Sequence, residues 1–183
     1  MKRLVINFSG RNNGNCENVS NVIQEKFYMD DVEIINFNQL NITQCINCNY
    51  ECFDNKENCP YYKDDIQKIY MKVLESDFIY YVIPNYCGYP NANFFVFNER
   101  SVCVFSKDKE LLNSYLQKSK KFVVISSSNQ ENFKNILQYQ TTMSPDILFL
   151  NAREFNQKSI DGKLMENEEA KSRLIQFLSY MYA

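Results

Sequence analysis

Short apolar runs alternate with amphipathic stretches along most of this chain. The runs are continuously hydrophobic or aromatic, as is typical of strands buried on both faces of a sheet. They are separated by 20 to 40 residues, which leaves room for a helix in each gap. The runs that predict five strands are residues 4–6, 32–37, 78–83, 122–125 and 147–150.

Between these runs, apolar residues recur at the three- and four-residue spacing of a helix face. The first such pattern is formed by Val19, Val22, Ile23 and Phe27. A second helix is predicted to start at Asp64, with Gln67 completing a capping box. Further helices are predicted over residues 91–105, within 106–119, around 133–140 and over 168–180.

This β-α-β order predicts a parallel sheet with helices on both faces, and a single α/β domain over residues 1–183. A polar insert at residues 38–63 interrupts the pattern. For five strands in the order 2-1-3-4-5, a ligand is expected where strands one and three end. The loops there are residues 9–15 and 84–89, and the loop at 126–130 lies beside them.

Two features that the sequence lacks exclude several kinds of catalytic and nucleotide-binding site. The chain contains no His, which excludes Ser-His-Asp and Cys-His catalysis and every zinc site that uses His. Its four glycines cannot be arranged as G-x-G-x-x-G or as a P-loop.

Charge and hydropathy exclude other classes of protein. The net charge is −2 and no strongly basic face is apparent, so we expect no nucleic-acid partner. No apolar run has membrane-spanning length, and the N-terminus lacks a signal-peptide core. We therefore expect a cytoplasmic protein whose seven cysteines are thiols or metal ligands.

The loop after the first strand is a candidate phosphate site. The loop contains a hydroxyl, side-chain amides and a guanidinium that can bind a phosphate. It also precedes a helix, and a helix N-terminus attracts anions. A well-capped helix preceded by an ordinary polar loop explains the same residues. The candidate ligands are Ser9, Arg11, Asn13, Asn15 and Cys16.

The loop after the third strand combines aromatic and turn-forming residues. Asn85, Tyr86, Cys87, Gly88 and Tyr89 could enclose a flat heterocycle, or could simply form a surface turn between two prolines.

Four cysteines lie within fifteen residues of the insert, at Cys45, Cys48, Cys52 and Cys59. This density suits a [4Fe–4S] cluster, and less well an all-thiolate zinc site. A redox dithiol at Cys45 and Cys48, or a loop of free thiols, fits the residues as well.

Taken in order, these motifs resemble the flavodoxin-like NADPH-dependent FMN reductases, including the iron–sulfur flavoproteins. That family's first loop reads G-S-x-R-x-x-G-N-T, of which this chain keeps Ser9, Arg11, Gly14 and Asn15. The four cysteines followed by Lys63-Asp64-Asp65, the Pro84-Asn85-Tyr86-Cys87-Gly88 loop and the Glu99-Arg100 pair also match the family pattern.

The resemblance implies a three-layer flavodoxin-like fold, with the FMN phosphate on the first loop. It places the flavin ring against the loops after strands three and four, at a homodimer interface. NAD(P)H would reduce the flavin, which would pass electrons to a small-molecule or protein acceptor. The implied ring contacts are Pro84, Asn85, Tyr86, Cys87, Gly88, Ser126, Ser127 and Ser128.

The first loop departs from the family pattern at Phe8, Gly10 and Cys16. Two alternatives to an FMN reductase therefore stay open. One is an electron carrier or binding module that holds a [4Fe–4S] cluster. The other is a family member that has lost its cofactor.

Overall fold

A parallel sheet forms the centre of the computed structural model, which describes residues 1–46, 48–126 and 131–180. Five of its strands are parallel, in the order β2-β1-β3-β5-β6, and the two-residue β4 pairs antiparallel with the end of β3. The strands are β1 (Lys2–Asn7), β2 (Asp31–Asn36), β3 (Phe78–Tyr86), β4 (Tyr89–Pro90), β5 (Ser119–Ser126) and β6 (Asp146–Asn151).

The predicted α/β class and the order 2-1-3-4-5 of the parallel strands are confirmed. The short β4 is an addition that sequence patterning did not predict. Flanking helices pack on the sheet, and none of those in the described residues is long and apolar enough to cross a membrane. They are α1 (Asn15–Lys26), α2 (Ile66–Glu75), α3 (Ala92–Phe105), α4 (Lys109–Gln117), α5 (Glu131–Leu137) and α6 (Glu168–Ser179).

Alternation of side chains along each strand divides the core into two halves. On β1, Leu4 and Ile6 point to the half formed with α2, α3, α4 and α5, whereas Val5 points to the half formed with α1 and α6. All three side chains are at most 1% exposed. A strand buried on both faces cannot alternate with polar residues, which explains its unbroken apolar run.

Strand β5 begins three residues earlier than the apolar run predicts, and it includes Lys120 and Lys121. Both lysines are buried, and their ammonium groups reach backbone carbonyls at the edge of the core. Lys120 Nζ donates to Tyr115 O, and Lys121 Nζ donates to Phe177 O and Tyr180 O. The long aliphatic stems can therefore occupy core positions in the strand.

Arg100 of α3 fastens the cysteine-rich insert to the domain. Its side chain is fully buried, and its guanidinium binds the Asp64 carboxylate and donates to Thr43 O and Tyr61 O. Asp64 Oδ1 also accepts a hydrogen bond from Ile66 N at 3.1 Å. Helix α2 accordingly begins at Ile66, and the capping box between Asp64 and Gln67 does not form.

Candidate functional site

The loop between β1 and α1 is held by short-range hydrogen bonds. Ser9 N donates to Asn7 Oδ1 at 2.9 Å, and Arg11 N donates to Ser9 Oγ at 3.1 Å. Ser9 Oγ also makes a side-chain hydrogen bond with Cys16, so its hydroxyl lies between the loop and the start of the following helix.

Phe8 anchors the start of this loop in the core. Its ring is fully buried, with centroids 5.3–5.7 Å from four other aromatic rings. Phe8 O accepts hydrogen bonds from Asn91 Nδ2 at 2.6 Å and from Asn93 Nδ2 at 3.0 Å. Phe8 stands where the family pattern has its leading glycine, and its side chain therefore fills a core position beneath the loop.

Helix α1 starts at this loop without a side-chain cap. Gly14 is the N-cap residue, and the N–H groups of Asn15 and Cys16 in the first turn have no acceptor within the helix. Glu17 Oε2 accepts the Asn13 N–H at 2.5 Å, with Asn13 in a left-handed conformation at φ 54°. The helix N-terminus thus presents donors from Asn15 and Cys16, while the N–H of Asn13 is engaged by Glu17.

The end of β3 forms the second wall of the site. Cys87 and Gly88, with φ of 53° and 87°, make the two-residue turn of the β3–β4 hairpin, a left-handed pair typical of a type I′ turn. Asn85 Oδ1 accepts the Gly88 N–H at 2.8 Å, and Asn85 Nδ2 donates to Ser126 Oγ at 2.8 Å. Asn85 therefore fixes the turn and ties the ends of β3 and β5 together.

A segment near the C-terminus closes a third side. Asn15 Nδ2 donates to Ser159 O and Asn15 Oδ1 accepts the Leu164 N–H, both at 3.0 Å. Gly162 has φ +69°, and a Cβ at this position would lie 2.7 Å from Asn13 O. Residues 159–164 consequently pack directly on the first loop.

These three segments enclose a cavity of about 260 Å³. Larger cavities of about 780 and 310 Å³ lie beside β6, and one of about 360 Å³ lies beside β2 and α2. These three contain none of the predicted site residues. The 260 Å³ cavity is lined by Ser9, Arg11, Gly14, Asn15, Cys16, Pro84, Asn85, Tyr86, Ile125, Ser159 and Ile160.

Seven of the residues predicted from the sequence to bind a cofactor line this cavity. Asn13, Cys87 and Gly88 do not line it, and Ser126 adjoins it through Asn85. Ser127 and Ser128 lie outside the described residues. Sequence reasoning missed Ser159 and Ile160, since no residue near them carries a recognisable binding pattern.

The electrostatics of the cavity favour an anion. Burial raises the pKa of Cys16 to about 12, although Ser9 and Arg11 partly offset this, so the thiol is uncharged at neutral pH. Arg11 is exposed, and no carboxylate in the described part of the chain forms an ion pair with it. Its positive charge is available to a ligand.

The four cysteines of the insert are in different environments. Cys45 is exposed, Cys48 is half-buried, and Cys52 and Cys59 are buried together with Cys103 of α3. Within residues 1–46, 48–126 and 131–180, no group of three or more Cys, Asp or Glu side chains is placed to hold a metal ion. In the sequence, Cys103 stands apart from the four cysteines of the insert.

The fold and the cavity define a flavodoxin-like α/β domain with a ligand site at the point where the strand order reverses. The family model described as NADPH-dependent FMN reductase matches residues 1–139. The chain belongs to this family, and it is therefore an NAD(P)H-dependent FMN oxidoreductase. No curated protein sequence matches the chain.

Several solved structures share the fold at low sequence identity. The Trp repressor binding protein from Bacillus subtilis is 12% identical with a TM-score of 0.65, and the match covers 100% of each chain. FerB, a flavoenzyme NAD(P)H:(acceptor) oxidoreductase from Paracoccus denitrificans, is 11% identical with a TM-score of 0.56 over 97% of each chain. RosB with bound 8-demethyl-8-formylriboflavin-5'-phosphate is 15% identical with a TM-score of 0.65, over 97% of this chain and 75% of RosB.

Proposed function

We propose that the 260 Å³ cavity holds the phosphate end of FMN. The observation that supports this most directly is the meeting of the first loop with the end of β3 around one cavity. The phosphate would be bound by the Ser9 hydroxyl, the Arg11 guanidinium and the N–H groups of Asn15 and Cys16. Asn13 would contribute only through its exposed side chain, because its N–H is bound by Glu17. Arg11 would contribute charge, and the start of α1 its N-terminal dipole.

The residues present fit a phosphate group. A thiolate at Cys16 would repel the dianion, but the buried thiol is neutral and has an S–H to donate. Asn15 would bind through its backbone N–H, because its side chain is engaged by Ser159 and Leu164. The cavity is smaller than the roughly 300–1,000 Å³ of complete ligand pockets, so it would enclose only part of the cofactor.

We place the flavin ring against the loops after β3 and β5. The contacts would come from Pro84, Asn85, Tyr86, Cys87 and Gly88, and from Ser126 with Ser127 and Ser128. Asn85 would position this wall through its bonds to Gly88 and Ser126. When bound, FMN supplies the hydride chemistry, accepting from NAD(P)H and reducing a second substrate. The chain's residues bind and orient the flavin, and we assign none of them as an acid or base.

The electron acceptor would be a small molecule or a protein, and the protein would act as a homodimer. Tyr86, which lines the cavity, and Tyr89, its partner across the β3–β4 hairpin, support such a contact because both side chains are about half exposed. A flat substrate or a second subunit could pack against an exposed aromatic pair beside a ligand cavity.

Titration of the purified protein with FMN tests this function. We expect saturable quenching of flavin fluorescence with a stoichiometry of one FMN per chain, and FMN-dependent oxidation of NADPH. A protein that takes up no FMN would overturn the proposal. Tight FMN binding without NADPH or NADH oxidation would instead favour an electron carrier.

The metal site at Cys45, Cys48, Cys52 and Cys59 stays a separate prediction, with a [4Fe–4S] cluster as its most specific form. Iron and sulfide analysis of anaerobically purified protein tests it. Equal iron in Cys48→Ser and the parent would exclude Cys48 as a ligand, and the absence of iron from the parent would exclude the cluster.

A further inference from the structure

Three buried thiols meet where the cysteine-rich insert packs on α3. The exposed fractions of Cys52, Cys59 and Cys103 are 6%, 7% and 3%. The Sγ atoms of Cys59 and Cys103 are 3.8 Å apart, although the two residues are separated by 44 positions in sequence. The thiol of the exposed Cys45 also interacts with that of Cys103, so Cys103 is the α3 residue on which the thiols of the insert converge.

We propose that Cys59 and Cys103 are a redox-active pair that a low-molecular-weight disulfide converts reversibly into an intramolecular disulfide. A disulfide requires the sulfur atoms to approach to about 2.05 Å. Cys59 lies in an irregular segment between a short 3-10 turn, Lys56–Asn58, and α2, so the insert can supply this movement without breaking a helix. Cys103 lies on α3 and provides the fixed partner.

Arg100 gives the pair a chemical environment suited to exchange. It precedes Cys103 by three residues on α3, so both side chains lie on the same helix face. Its guanidinium is fully buried and binds Asp64, but Nε has no hydrogen-bond acceptor in the described structure. The unpartnered Nε–H therefore lies on the same helix face as the Cys103 sulfur, which is a weak hydrogen-bond acceptor.

The exchange proceeds in two steps that conserve atoms and electrons. One cysteine attacks the reagent RSSR, forming a mixed disulfide and releasing one RSH. The second cysteine attacks the mixed disulfide, forms the Cys59–Cys103 bond and releases the second RSH. The protein loses two hydrogen atoms, and RSSR gains them. Because the thiolate is the attacking form, we expect the exchange to be faster at alkaline pH than at neutral pH.

The disulfide would join the insert covalently to the helix that supports the first loop. Asn91 at the start of α3, and Asn93 in its first turn, donate to Phe8 O. A cross-link that closes this long loop restricts the unfolded chain, so the oxidised protein should resist unfolding better than the reduced protein.

Disulfide mapping of the full-length protein tests the proposal without reference to FMN. The reduced protein is treated with oxidised glutathione at about pH 8.5, near the pKa of an ordinary thiol. Free thiols are then blocked with N-ethylmaleimide and the digest is examined by mass spectrometry. We expect a linked pair of peptides containing Cys59 and Cys103, five alkylated cysteines, and recovery of all seven thiols after dithiothreitol.

Matched variants separate this pair from its neighbours. Cys59→Ser and Cys103→Ser should lose the linked peptides and the rise in thermal midpoint on oxidation, whereas Cys52→Ser should keep both. Seven alkylated thiols in the treated parent, or a link between any other two cysteines, would overturn the proposal. The proposal would also be overturned if bound zinc or iron protected both thiols from oxidation until a chelator removed the metal. If a serine variant fails to fold, the disulfide map of the parent protein by itself tests the proposal.

Discussion

The carboxamide of Asn15 donates a hydrogen bond to the carbonyl of Ser159 at 3.0 Å, across 144 positions of sequence. The same side chain accepts the N–H of Leu164, also at 3.0 Å. Asn15 therefore serves two purposes. Its backbone starts α1 at the cavity, and its side chain holds a distant segment over the loop that we propose binds phosphate.

The contact between Gly162 and Asn13 should be sensitive to a single methyl group. In Gly162→Ala the added Cβ would lie 2.7 Å from Asn13 O, at a backbone φ of +69° that alanine tolerates poorly. We expect the free energy of unfolding to fall by about 1–3 kcal/mol, measured by urea denaturation. Gly10→Ala is the matched control, because no atom lies within 4 Å of its added Cβ, and a loss equal to that of Gly162→Ala would contradict the prediction.

Arg11 should contribute to FMN affinity through charge. Arg11→Ala is expected to weaken FMN binding by about 1.5–3 kcal/mol, the usual range for a hydrogen bond to a charged group. Isothermal titration calorimetry measures this change. Arg173→Ala provides a control for loss of one surface cation, since Arg173 pairs with Glu154 and Glu169 on the exposed side of α6. An unchanged dissociation constant in Arg11→Ala would remove this residue from the site.

Tyr86 and Tyr89 form a cross-strand pair that allows a matched comparison. Their exposed fractions are 48% and 50%, but only Tyr86 lines the cavity. Tyr86→Ala should therefore weaken FMN binding more than Tyr89→Ala, by roughly 1 kcal/mol for one lost aromatic contact. Flavin fluorescence titration of both variants measures the difference. Equal affinities would show that the flavin does not contact Tyr86 selectively.

Lys120 should make stability depend on pH. Burial, with a smaller contribution from Lys118, lowers the pKa of Lys120 from 10.5 to about 7 in the folded protein. Between about pH 7 and 10.5 the unfolded chain binds more protons at Lys120 than the folded protein does. The contribution of Lys120 to the free energy of unfolding therefore rises with pH, by at most about 1.4 kcal/mol per pH unit.

Urea denaturation across pH 6–10 tests this effect. We expect Lys120→Met to be more stable than the parent near pH 7, and the difference to shrink as the pH rises. Lys26→Met, at an exposed position on α1, controls for the loss of one positive charge. A stability difference between Lys120→Met and the parent that stays constant with pH would contradict the assignment.

Local patterning in the sequence determined the α/β class and the parallel strands of this protein, and the resemblance of its motifs to a known family implied the flavodoxin-like fold. The apolar runs of the central strands β1, β3 and β5 are buried on both faces, which requires a nearly unbroken apolar sequence, whereas those of the edge strands β2 and β6 are only partly buried. The first loop and the end of the third strand were also identified from local residues. Parallel connectivity then required both to lie at the same edge of the sheet, where the cavity is found.

Only the tertiary structure decided the contacts between distant segments. The packing of Gly162 on Asn13, the bonds from Asn15 to residues 159–164, and the approach of Cys103 to Cys59 each join residues that share no local pattern. Periodicity reports which side of a strand or helix is buried, but it does not report which partner covers that side. The start of α2 illustrates the limit, because Asp64 binds Arg100 of α3 instead of forming the capping box that its neighbours predicted.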